Sequence, residues 1–295
     1  MELKLMRGGV RQLERTIFAE PYRRFEVRPV TELIGAELHG VDLGRRLDDE
    51  LAGELRRALL EWKVIFFRDQ ELTSDSHLAL ARVWGDPEAN PFFPIGDQVG
   101  ISRLAKGGDM VGMENVWHSD HSFLATPARG SVLRAIEVPE SAGDTMWADM
   151  AAAYDNLPDE VKELVDGLEA EHDWFHSWGN HIPVEKRDEI RNRLPAAVHP
   201  VVKVHPLTGR RTLYVNEPFT TRVLGMPEDE SNRLLDYLRC QARVPEYQVR
   251  FRWQPRAVAI WDNWAVQHYA INDYYPKRRV MERVAVAGHG WNGDA

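Results

Sequence analysis

Residues 1–22 are polar and mildly basic, with no apolar period, and read as a tail or packing arm ahead of a single domain over 23–295. From Phe25 the pattern changes. "FEVRPVTELIGAELHGVDL" alternates apolar and polar positions around Gly35 and Gly40, which predicts short strands joined by turns. "DDELAGELRRALLEWK" (48–63) starts acidic and repeats its apolar residues at helical spacing, so an amphipathic helix is expected there. A buried strand follows at "VIFFRD" (64–69). "SDSHLALARVWG" (74–85) reads as a second helix, capped by Ser74 and ended by Gly85. Further strands are predicted at 131–138, 145–150, 211–216, 257–263 and 278–288, and helices over 158–173 and 229–242. No internal repeat, linker or low-complexity segment interrupts this order. Mixed strands with flanking helices fit one α+β domain built on a sandwich or barrel.

Composition narrows the class. With 43% hydrophobic and 28% charged residues the chain reads as soluble and globular. A net charge of -9 disfavours general nucleic-acid binding, which needs a basic footprint. The single cysteine, Cys240, excludes an intrachain disulfide and suits a reducing compartment. No run of about twenty apolar residues is present, so no membrane span is expected. The first twenty residues carry no apolar core of signal-peptide length. A cytoplasmic protein is the expectation.

Candidate chemistry starts at "NVWHSDHSF" (115–123). Of eleven histidines, His118 alone has a carboxylate two residues downstream, Asp120. On a strand, positions i and i+2 share a face, so the pair could bind one ion. Alone the motif is weak, and a polar pair in a strand or loop is the blander reading. His121 would point the other way on such a strand and is not taken as a ligand. His268 lies in the apolar run "WAVQHYAI", where a histidine is more often a core residue. Downstream, alternation in "RRVMERV" puts Arg279, Met281 and Arg283 on one strand face, and two arginines there need anionic partners. Surface salt bridges are the alternative.

Taken together these stretches resemble the taurine dioxygenase family of iron(II)- and 2-oxoglutarate-dependent oxygenases, which includes alkylsulfatases and phenoxyalkanoate dioxygenases. "WHSD" matches the family's first His-x-Asp. "WDN" followed by "QHYAINDYYPKRRVMER" matches its distal histidine, with an arginine eleven residues later. "AGDTMW" matches a threonine-bearing segment 27 residues after the first ligand. The likeness runs over about residues 25–290 and implies a double-stranded β-helix, or jelly roll, with flanking helices. It implies His118, Asp120 and His268 as a facial triad for Fe(II), which leaves three open positions. It also implies that Arg279 and Thr145 hold the C5 carboxylate of 2-oxoglutarate, the cosubstrate consumed with dioxygen to give succinate and carbon dioxide. No catalytic residue beyond the ligands is implied. A zinc hydrolase would accept the same ligands but would not explain Arg279 and Thr145.

In this resemblance Arg283 meets the acidic head of the substrate, so a small anion is expected: sulfonate, sulfate ester, carboxylate or phosphonate. The alternative for Arg283 is an ion pair with an aspartate or glutamate. At about 3.3 Å per residue, Arg283 stands roughly 13 Å along the strand from Arg279, too far to share one carboxylate. Asn90, Phe93, Glu114 and Trp178 stand where the taurine enzyme has a histidine, a tyrosine, an asparagine and a phenylalanine, while Phe219 matches. The pocket is therefore expected to be less polar, with taurine disfavoured, unless Glu114 recognises a cationic group. His172, His176 and His181, with Trp174 and Trp178, form either a substrate lid or a surface loop with packed tryptophans. A homo-oligomer, dimer or tetramer, is expected. A biosynthetic tailoring oxygenase or a catalytically silent binding protein are the alternatives to an acid-degrading enzyme.

Overall fold

The computed structural model describes residues 10–88, 100–108, 110 and 112–288. The chain runs β1 (Glu26–Pro29), β2 (Ala36–His39), α1 (Asp49–Trp62), β3 (Val64–Phe67), α2 (Ser74–Ala81), β4 (Pro87–Glu88), β5 (Ser102–Lys106), β6 (Gly130–Glu137) and β7 (Thr145–Asp149). It continues through α3 (Met150–Asp155), α4 (Asp159–Val165), β8 (Glu169–His172), α5 (Phe175–Trp178), α6 (Val184–Arg193), β9 (Ala197–Pro200), β10 (Val202–Val204), β11 (Arg211–Leu213) and β12 (Thr220–Val223). It ends with α7 (Glu228–Arg239), β13 (Gln248–Phe251), β14 (Val258–Asp262), β15 (Val266–Ala270) and β16 (Arg279–Val286). The large sheet has the order β1-β2-β3-β14-β6-β16, with β4 and β5 both pairing along β16. A smaller sheet, β13-β7-β15, faces it. The fold is α+β with a jelly-roll core.

Side-chain alternation explains why the large sheet is covered on both faces. In β3, Val64 and Phe66 join the core between the sheets, while Ile65 and Phe67 join the layer under the helices. β14 repeats this, with Ala259 and Trp261 inward and Val258 and Ile260 outward. Strands buried on both faces read as continuous apolar runs, as "VIFF" does. The inner layer is aromatic: Phe66 stacks on Phe251 at 4.1 Å between centroids, and Trp147 lies 5.8 Å from Trp261. Outside, α1 and α2 lay Leu55, Leu59, Trp62 and Leu80 onto the sheet. Asp48 caps α1 by accepting from the Leu51 N–H, and Asp49 and Glu50 complement the helix dipole. Lys63, just beyond α1, pairs with Asp149 at 3.1 Å in the buried interior. Asp149 in turn caps α3.

Several expected elements differ. The helix expected over 158–173 stops at Val165, because Gly167 at φ +76° turns the chain. The remainder is β8, a strand with Ala170 and His172 buried and partners on both edges. Thr73, not Ser74, caps α2, in a reciprocal box with Ser76. Beyond α7 the expected helix tightens into a 3-10 turn over Cys240–Arg243. Strand pairing from 211 ends at Leu213. Within the segment before β1, Arg15 stacks 3.7 Å over Trp62 and pairs with Glu61, and Gln12 exchanges two hydrogen bonds with Asn156. Among the described residues no helix is long and apolar enough to cross a membrane.

Candidate active site

β15 carries His268, and the chain at His118 runs antiparallel beside it: each histidine accepts the other's backbone N–H, at 3.0 and 2.8 Å. The two rings therefore face each other, 4.1 Å between centroids. Asp120 does not continue a strand from His118. It sits in a turn, followed by His121 at φ +55°, and this turn, not strand alternation, brings its carboxylate round. Asp120 Oδ1 lies 3.9 Å from Nε2 of both His118 and His268. One ligand atom from each of the three residues falls within 4.8 Å of the others. Nδ1 of His118 donates to the Val116 carbonyl at 2.8 Å, which fixes its hydrogen there and leaves the Nε2 lone pair for a metal. Burial, with His118 alongside, pushes the His268 pKa down to about 3, so that ring is a neutral donor. Burial opposes the charge of Asp120, yet Arg283 above all, then the two histidines, holds its carboxyl well below the usual range. Two imidazoles and a carboxylate on one rim fit iron(II).

Two cavities meet at this rim. The smaller, about 70 Å³, runs from His118 and His268 to Thr145 and Arg279. Arg279 is buried; its Nε donates to the Gly143 carbonyl at 3.0 Å and its Nη2 to Thr145 Oγ1 at 3.4 Å. Thr145 Oγ1 also accepts from Trp253 Nε1 at 2.9 Å, so its own hydrogen is left to donate to a ligand. Among the described residues Arg279 has no carboxylate within ion-pair distance. A buried guanidinium so placed is suited to an incoming diacid.

The larger cavity, about 310 Å³, is walled by Phe123, Trp174, Trp178, Ile182 and Phe219, and Arg283 stands where the two cavities join. Arg283 Nη1 donates to Asp120 Oδ1 at 2.6 Å, so the arginine expected for the substrate is held on the carboxylate of the candidate metal rim. Glu114 lines both cavities, but its Oε1 is 3.0 Å from Lys106 Nζ, so its charge is already matched. Asn90 and Phe93 lie outside the described residues. His121 reaches the larger cavity and stands 3.6 Å from Glu88. His181 lines the cavity beside Trp178, whereas His172 is buried below it on Ser122. Sequence reasoning missed Lys106, Gly143, Asn263 and Trp253. Gly143 and Asn263 lie in motifs quoted for the resemblance, "AGDTMW" and "WDN", but nothing local gave them partners.

A jelly roll with a 2-His-1-carboxylate rim and a buried, unmatched arginine beside it defines a mononuclear oxygenase that takes a 2-oxo diacid. The chain belongs to the "Taurine catabolism dioxygenase TauD, TfdA family", whose model matches residues 26–285. It is an Fe(II)- and 2-oxoglutarate-dependent dioxygenase. Over 272 residues it is 38% identical to an alpha-ketoglutarate-dependent sulfate ester dioxygenase of Pseudomonas putida, which covers 89% of each chain. Over 287 residues it is 33% identical to an alkylsulfatase of Acinetobacter baylyi, covering 94% of this chain and 90% of that one. The solved structure of a taurine dioxygenase from Burkholderia xenovorans matches with a TM-score of 0.79 and 34% identity over 90% of both chains.

Proposed function

We propose that this enzyme hydroxylates a small organic anion with an apolar or aromatic body, a sulfate ester or sulfonate before a carboxylate or phosphonate, and that taurine is a poor substrate. The observation that carries the reading is the larger cavity: aromatic walls ending at the cation Arg283. The sulfate ester dioxygenase and the alkylsulfatase among the relatives support the sulfur oxyanion, and favour degradation over a biosynthetic tailoring role. His118, Asp120 and His268 would hold the iron, and Arg279 with Thr145 the C5 carboxylate of 2-oxoglutarate. Bound iron, with 2-oxoglutarate and dioxygen, supplies the oxidation that yields hydroxylated substrate, succinate and carbon dioxide. Among the described residues the buried Nε–H of Arg283 has no partner, which leaves it a donor for the anionic head while Nη1 stays on Asp120. Phe123, Trp178 and Phe219 would bury the body of the substrate and exclude water from the reacting carbon. If that carbon bears a sulfate oxygen, the hydroxylated product splits into an aldehyde and sulfate. A cytoplasmic homo-oligomer completes the reading; Cys240, the one cysteine, is unpaired.

The test is a panel of alkyl sulfates, sulfonates, aryloxyalkanoates and amino acids, scored by substrate-dependent succinate release. Arg283→Ala should raise the substrate constant by tenfold or more, on the order of 1.4 kcal/mol. Its effect on 2-oxoglutarate binding, titrated anaerobically through the metal-to-cosubstrate absorption band, should stay under about threefold. Taurine as the best substrate would sink the pocket argument. A neutral best substrate that Arg283→Ala turns over normally would sink the anion argument.

A further inference from the structure

β5 and β16 pair antiparallel with Lys106 directly opposite Arg279. Residues opposite each other across a ladder share a face, with Cβ atoms about 5 Å apart. Two cations therefore stand side by side at the end of the smaller cavity, and both line it. One carboxylate, Glu114, lines the same cavity. Glu114 Oε1 pairs with Lys106 Nζ at 3.0 Å. Burial opposes the charge of Glu114, but Lys106 holds its pKa below the ordinary carboxylate value. Burial lowers the pKa of the Arg279 guanidinium, while Tyr274 and then Glu114 work against that lowering. Nor is Glu114 free to swing away. Its carbonyl accepts from the Ala270 N–H at 3.2 Å, its Oε2 accepts from the Met113 N–H at 2.9 Å, and Asn272 ties the Gly112 carbonyl at 2.6 Å.

We propose that Lys106 determines cosubstrate affinity by holding the charge of Glu114, so that Arg279 stays available to the C5 carboxylate of 2-oxoglutarate. The inference rests on the reading of Arg279 as the partner of that carboxylate. Without the Lys106 ammonium, Arg279, which stands across the ladder from it and lines the same cavity, is left as a cation for Glu114. An internal carboxylate tethered in that cavity then competes with the cosubstrate at high effective concentration. Lys106 acts through Glu114 and is a positioning residue; it need not touch the cosubstrate.

The claim has a signature that a merely structural role lacks, because removing a second charge should repair the loss of the first. Dissociation constants of 2-oxoglutarate are measured anaerobically on the Fe(II)-loaded protein, by the metal-to-cosubstrate absorption band and by calorimetry, without turnover. Lys106→Met should weaken binding by tenfold or more. Lys106→Met with Glu114→Gln should return to within about threefold of the parent, and Lys106→Arg should bind as the parent does. Parent-like binding by Lys106→Met overturns the proposal, and so does a double variant as weak as the single one. Should Lys106→Met fail to fold, Lys106→Gln, which removes the same charge, carries the same test with the same expected loss and the same repair by Glu114→Gln. Arg279→Gln separates this inference from the reading beneath it. If Arg279→Gln binds 2-oxoglutarate normally, the assignment of Arg279 fails. If it binds weakly while Lys106→Met binds normally, only the role of Lys106 fails.

Discussion

Asp120 is held at each of its polar atoms. Its N–H donates to Asn263 Oδ1 at 2.8 Å and its carbonyl accepts from Asn263 Nδ2 at 2.8 Å. Oδ1 accepts from Arg283 at 2.6 Å, and Oδ2 from Ser131 Oγ at 3.1 Å. Asn263, fully buried, spends its remaining N–H on the Ala128 carbonyl at 2.7 Å. One amide thus fixes the backbone of one proposed metal ligand from the turn that leads into the strand of another, His268. Outer contacts of this kind, when removed, typically cost about 10–100-fold in metal affinity. Asn263→Ala should lower Fe(II) affinity of the apoprotein by that order, measured by anaerobic calorimetric titration. It should also destabilise the fold by about 1–3 kcal/mol for each backbone group left unsatisfied. Unchanged metal affinity would reduce Asn263 to a structural residue. "WDN" was visible in the sequence, but Asn263 lies 143 residues from Asp120, and no local pattern announces a bond across that distance.

At the scale of elements, the Arg279 end of the smaller cavity, proposed above for the cosubstrate, is built where the turn before β7 meets the start of β16. Gly143, at φ +75°, offers its carbonyl to Arg279 Nε, and its N–H donates to Asp273 Oδ1 at 2.7 Å. A Cβ at Gly143 would fall 2.9 Å from Arg279 Cδ. The left-handed backbone costs a side chain about 1–2 kcal/mol as well. Gly143→Ala should therefore displace Arg279 and weaken 2-oxoglutarate binding by roughly tenfold, on the order of 1.4 kcal/mol, with the substrate constant little changed. An unaltered cosubstrate constant would show that the turn does not set the guanidinium. The same elements show what could be read in advance. β3 and β14 were legible because strands buried on both faces leave apolar runs, and β16 because positions alternate in "RRVMERV". β8 was not, since "EAEH" is short and follows a helix without a strong break before Gly167. His118, Asp120 and His268 were singled out through collinear spacing and do come together in the fold, while the geometry assumed for the first two, a shared strand, is absent. Lys106 was invisible because its place depends on the register of β5 against β16, a pairing of strands far apart in the chain.

For the whole molecule, the jelly roll is anchored on two sides by buried neutral histidines. On the helical side, His77 of α2 bonds the Val132 carbonyl of β6 through Nε2 at 3.0 Å, and burial pushes its pKa down to about 4. On the other side, His172 of β8 bonds Ser122 Oγ at 3.1 Å, and burial, with His199 and Lys203 nearby, pushes its pKa down to about 3. In the unfolded chain both return to the ordinary histidine value near 6.5. Between that value and the folded ones the unfolded state binds more protons, so stability falls as pH falls. The contribution is complete above about 6.5 and is lost progressively toward about 4 for His77 and about 3 for His172. Each histidine adds a slope of up to about 1.4 kcal/mol per pH unit, against a typical domain stability of about 5–15 kcal/mol. Asp120 and Asp262, held below the ordinary carboxylate range, do not titrate within the upper part of this window. Urea unfolding of the metal-free protein should therefore show a clear drop in stability from pH 7 to pH 5. His77→Gln, which keeps a donor for Val132 and cannot gain a proton, should remove roughly a quarter to a third of that drop, because burial also holds His172, His268 and His199 low. An equal drop in His77→Gln and the parent would mean that His77 is not held neutral by the packing of α2 on the sheet, and that acid sensitivity enters elsewhere.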